Sequence, residues 1–88
     1  MIVVHQDRHV LFNTATALVQ YPAHGNDGQP LREYLMESQR HKYFLVQCQG
    51  DTPTSAAYLT DLEAVAWLLN EGHPLHDGLQ ACYAAAIE

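Results

Sequence analysis

Basic residues are scarce in this chain: one lysine and three arginines stand against ten acids, giving a formal charge of -6 over 88 residues. That sign repels phosphate backbones and anionic lipid, and Arg8, Arg32, Arg40 and Lys42 form no stripe with interleaved aromatics. Direct nucleic-acid or membrane-surface binding is therefore disfavoured, whereas a basic protein partner suits the charge. Only two cysteines are present, Cys48 and Cys82, too few for a disulfide framework. Nor is there an apolar run near the roughly 18 residues that span a bilayer. The opening Met1-Ile2-Val3-Val4-His5-Gln6-Asp7 lacks the basic start and long apolar core of a secretory signal, so cytoplasmic residence with reduced thiols is expected.

Catalytic signatures are equally thin. The glycines, Gly25, Gly28, Gly50, Gly72 and Gly78, never form a phosphate-cradling run after a strand. Neither Cys-x-x-Cys nor His-Glu-x-x-His occurs, and Ser38 and Ser55 lack a nucleophile-elbow context. Both cysteines fall on apolar faces, where a thiol behaves as a small hydrophobe. No cofactor is implied by these patterns, and the chain reads as non-enzymatic.

What is present is apolar material, 48% of residues, with charged residues at only 16%. A chain of this length forms a single domain, 1–88, burying roughly 60 to 65% of its unfolded surface. Thr60 and Glu63 stand at capping-box spacing before Leu62, Val65, Ala66 and Leu69, which predicts an amphipathic helix stopped by Gly72 and Pro74. Asp77 can cap a final helix with Leu79, Cys82, Tyr83 and Ala86 on one face. Lys42 to Gln49 is aromatic and β-branched, with Phe44, Val46 and Cys48 on one side, and predicts a strand. Gly50-Asp51-Thr52-Pro53 is turn chemistry, and Ala56 to Leu59 suits a short antiparallel partner.

Upstream, Ile2 to His5 and His9 to Phe12 read as strands about a polar turn. Asn13 suits the cap of a short helix with Ala15, Leu18 and Val19 as its stripe and Pro22 as its end. Ala23 to Pro30 must be loop, and Leu31 to Arg40 is expected as a helix packing Leu31, Tyr34 and Leu35. Both halves, 1–41 and 42–88, then run strand, strand, helix, helix. Phe12-Asn13 with Ala17-Leu18 matches Leu59-Thr60 with Ala64-Val65 at one offset. Two architectures fit: a ββαα duplication, or one irregular α+β domain with an antiparallel sheet of three or four strands covered by helices.

Six histidines are the one compositional excess. His5 and His9 are four apart, and His73 and His76 are three apart with Asp77 following, so a zinc or ligand site using some of His5, His9, His24, His73, His76 and Asp77 is the alternative function. The first expectation is a small acidic protein-interaction module that regulates or inhibits another protein, with a homodimer also compatible. Aromatic residues dominate binding hot spots, and Trp67 falls on the flank of its predicted helix beside Glu71. The expected contact residues are Trp67, Tyr58, Tyr43 and Glu71.

Overall fold

The computed structural model describes residues 2–5 and 10–87. Strands β1 (Ile2–His5) and β2 (Val10–Asn13) pair as an antiparallel hairpin. A four-stranded antiparallel sheet follows: β3 (Val19–Pro22), β4 (Leu31–Glu37), β5 (Tyr43–Gln49) and β6 (Thr52–Leu59), hydrogen-bonded in chain order. Two helices, α1 (Asp61–Asn70) and α2 (Asp77–Ala86), complete an α+β fold.

Successive strand residues point to opposite faces, and here both faces of the central pair are covered. On one side Leu35 and Tyr43 pack with Ala64, Val65 and Leu68 of α1 and Leu79 of α2. On the other, Met36, Phe44, Val46 and Cys48 pack with Phe12 from the hairpin. Phe12 and Phe44 stack at 4.5 Å, and Tyr58 meets Phe44 edge-on, so aromatic contacts tie hairpin to sheet.

This double covering explains the main departure from the sequence reading: Leu31 to Arg40 is not a helix. Leu31, Tyr34 and Leu35 have helical spacing, but the segment forms seven partner pairs with β5, placing Leu35 on the helix side and Tyr34 and Met36 on the other. A strand buried on both faces loses the clean apolar and polar alternation that would have marked it. Asn26 reinforces its extended start, its side chain bonding both the N–H and the C=O of Glu33.

The segment after Asn13 also differs. Asn13 caps as expected, accepting from the Ala15 N–H, yet only a single 3-10 turn forms over Thr14–Thr16. Leu18 N–H then donates to Glu37 O and opens the β3 ladder, leaving Ala15, Leu18 and Val19 exposed rather than in a helical stripe. Pro22 sits on an edge strand, where a missing donor is tolerated. The two halves therefore do not share a ββαα fold among the described residues: the helices at 61–70 and 77–86 answer to strands in the first half.

The C-terminal half follows its local signals more closely. β6 is longer than expected, reached through a two-residue turn at Gly50-Asp51 with Gly50 left-handed at φ 60°. Thr60 and Glu63 form the reciprocal capping box, and α1 ends in a Schellman motif: His73 N–H to Leu68 O, Gly72 N–H to Leu69 O, and Gly72 at φ 78°. The buried face of α1 is rotated, however. Ala64, Val65 and Leu68 are covered, whereas Leu62, Ala66 and Leu69 of the predicted stripe face outward. In α2 the N-cap is His76 rather than Asp77, which lies in the first turn.

Two substitutions test this packing. Thr60→Ala should cost about 1 kcal/mol by removing one half of the capping box. Phe44→Ala should cost about 3 to 5 kcal/mol by opening a cavity between hairpin and sheet. Urea unfolding should return them in that order, and equal losses would contradict the arrangement.

Candidate functional site on the helix side of the sheet

Three features lie on the helix side, and each follows from a local structure. The first is a polar network where β4 turns into β5. His41 N–H donates to Ser38 O at 2.9 Å and Ser38 N–H to Lys42 O at 2.8 Å, closing a tight turn that holds His41 at φ 62°. A non-glycine residue rarely occupies that region. Here it brings His41 Nδ1 to 2.5 Å from Oε2 of Glu37, a carboxylate buried at the end of β4. Across the same carboxylate, His76 Nε2 lies 3.8 Å from Oε1 and 2.6 Å from the Tyr43 hydroxyl. Burial, then the nearby charges of Glu37 and Asp61 and the Tyr21 phenol, push the Tyr43 pKa well above its ordinary value of 10.0. Tyr21 is raised as well, by burial and then by Glu37.

The second feature is a cavity of about 400 Å³ at the other end of β4, lined by His24, Arg32, Glu33, Gln47, Thr54 and Glu71 among others. Trp67 Nε1 donates to Glu33 Oε1 at 3.0 Å. The indole stacks on His73, whose Nε2 donates to Pro22 O at 2.7 Å. Glu71 Oε2 accepts from the His24 N–H at 2.9 Å and also pairs with the His24 imidazole. The His24 amide is the main reason that the Glu71 carboxyl titrates below its ordinary range, against a smaller opposing effect of burial. Both carboxylates thus have one oxygen held by the protein, which fixes where the other points.

The third feature is a groove of about 310 Å³ on the outer side of the helices, lined by residues that include Leu62, Leu69, Tyr83 and Ile87. It exists because α1 meets the sheet through Ala64 and Leu68 and not through the larger leucines flanking them.

Of the contact residues expected from sequence, only Trp67 and Glu71 come together, one turn apart beside the cavity. Tyr43 is 2% exposed and belongs to the core. Tyr58 packs on the opposite face of the sheet. The histidines also diverge, His73 toward Trp67 and Pro22 and His76 toward Tyr43 and Glu37, while Asp77 sits in the first turn of α2. The side chain of His5 and the whole of His9 lie outside the described residues. Among the described residues, no group of three or more His, Cys, Asp or Glu side chains is placed to hold a metal ion. Cys48 is buried and its thiol pKa is raised by desolvation and then by Asp51, so it is held in the unreactive protonated form.

Sequence patterning does not single out Glu33, Glu37 or His41, whereas His24, a candidate metal-ligating histidine, pairs with Glu71 instead of with the other histidines. For Glu37 and His41 a signal existed, a carboxylate and a histidine bracketing a polar Ser-Gln-Arg stretch, but assigning the segment to a helix concealed the turn. The leucines of the groove were assigned to the core of α1.

The tyrosine environment gives a pH test. A folded pKa raised above the unfolded one contributes stability that is complete below about pH 10 and is lost as pH climbs through the folded value. Phenolate absorbance should therefore show late-ionising tyrosines whose amplitude Tyr43→Phe reduces, with wild-type stability falling steeply above pH 10.0. Ionisation of all five tyrosines in one step near the ordinary value would contradict the burial described.

No family model, no curated protein and no solved structure matches this chain, so the geometry of these features carries the functional reading.

Proposed function

We propose that this chain is a small, non-enzymatic protein-interaction module that regulates or inhibits a partner by binding it through the outer surface of α1 and α2. One observation supports the reading above others. Leu62, Leu69, Tyr83 and Ile87 are 52, 43, 39 and 60% exposed, and all line the same groove. Single apolar residues on a surface are ordinary, but large ones gathered on one concavity mark contact sites, because covering them removes apolar area from water. The polar groups of the helix side have partners within the fold: Glu37, His41, His73 and His76 engage one another, Tyr43 or a backbone carbonyl. They position the helices, and the helices present the groove.

Affinity capture from the native host, comparing wild type with Leu62→Glu/Leu69→Glu, tests this. Both leucines are exposed, so the variant should keep its circular dichroism and lose roughly 0.5 kcal/mol of stability or less at each site. A partner retained by wild type and by a Gln39→Glu control, and lost with the double variant, is the expected outcome. Equal recovery on all three would refute the helical surface as the contact site.

A further inference from the structure

We propose that the occupant of the α1/α2 groove is a short amphipathic segment of another protein, apolar on the face that enters the groove and carrying Lys or Arg that reach the carboxylates of Glu33 and Glu71. This rests on the function proposed above and names the chemistry of its partner. The first argument is charge. Between them α1 and α2 carry Asp61, Glu63 and Asp77 and no lysine or arginine, and all four basic residues of the chain precede β5. A helical pair carrying acids and no bases is complementary to a basic segment, and a second copy of this chain docked through the same helices would bring only the same sign of charge.

Size gives the second argument. A groove of about 310 Å³ lined by Leu62, Leu69, Tyr83 and Ile87 has room for apolar side chains inserted by a short segment. It suits the helix-in-groove mode, in which an amphipathic segment inserts a few apolar anchors.

The third argument is the end of α1. Leu69 and Asn70 line the groove while Glu71, the next residue, lines the cavity on the other side of the helix. A chain leaving the groove across this end meets the negative pole of the helix dipole, with no basic residue in the last turn to offset it. Beyond it stand Glu33 and Glu71, each with one carboxylate oxygen engaged, by Trp67 and by His24 respectively. Arg32 is the one Lys or Arg lining the cavity, its Nε turned to Gln29 O, against two carboxylates, of which Glu71 also pairs with the His24 imidazole. A partner ammonium or guanidinium supplies the missing charge and the donors that two acceptors require.

Three synthetic peptides test the proposal: a Leu/Lys amphipathic helix of about four turns, the same composition scrambled to break its apolar face, and a Leu/Glu version. Trp67 is the only tryptophan and is bonded to Glu33, so its emission reports the cavity. The Leu/Lys helix should bind and shift that emission, and rising salt should weaken it. Leu69→Glu should lower the affinity more than about tenfold. Glu71→Gln and, independently, Glu33→Gln should each lower it roughly two- to fivefold and flatten the salt dependence. Equal binding of the scrambled or Leu/Glu peptide, or no effect of Leu69→Glu, would overturn the proposal. So would a dimer in sedimentation that Leu69→Glu dissociates, although the helical surface would remain the contact site. A host partner lost with Leu62→Glu/Leu69→Glu, combined with no binding of the Leu/Lys helix, would sink the basic segment alone.

Discussion

The pairing of β4 with β5 is the constraint from which the rest of the structure follows. These are the two central strands, joined along seven residue pairs, and each sends apolar side chains to both sides. A sheet buried on both faces must be covered twice, and a chain of 88 residues has little to cover it with. The hairpin supplies one cover through Phe12, and the helices supply the other. Polar groups on the helix side are then enclosed with the apolar ones, which is why Glu37 is buried and why His41, His76 and Tyr43 gather around it. An enclosed carboxylate without the His41 hydrogen bond would be strongly destabilising.

Covering the sheet uses only part of each helix. In α1, Ala64 and Leu68 face the sheet, Trp67 and Glu71 meet the cavity edge, and Leu62 and Leu69 remain outside. In α2, Leu79 is buried while Tyr83 remains partly exposed. The same helices that close the core therefore present an apolar groove. The helices hold three of the ten acids and none of the four bases. Apolar anchoring would give a partner affinity, and the charge would select which partner approaches and how fast.

Elements governed by local chemistry were legible in the sequence. The capping box at Thr60 and Glu63, the glycine stop at Gly72 and the alternation of Phe44, Val46 and Cys48 depend on neighbours a few residues away, and each took its expected form. Leu31 to Glu37 was not legible, because its conformation is decided by β5 and β3, which no window around it contains. The rotation of α1 escaped for a related reason: Leu62 and Leu69 are more hydrophobic than Ala64, yet Ala64 is the residue that faces the sheet. Of the site, Trp67 and Glu71 were visible from their place on the helix flank. The network around Glu37 was hidden behind the helix assignment, since its members come from β4, the β4–β5 turn, β5 and the segment before α2.

The most direct measurement is backbone chemical-shift mapping by NMR while the basic amphipathic helix is titrated in. The account predicts that perturbed amides trace the outer side of α1 and α2, from Leu62 to Leu69 and from Tyr83 to Ile87, and continue over Glu71 to Glu33. Perturbations confined to the exposed edges of β3 or β6, with the helices unchanged, would show that the partner adds to the sheet and that the helical groove is not where this chain makes its contacts.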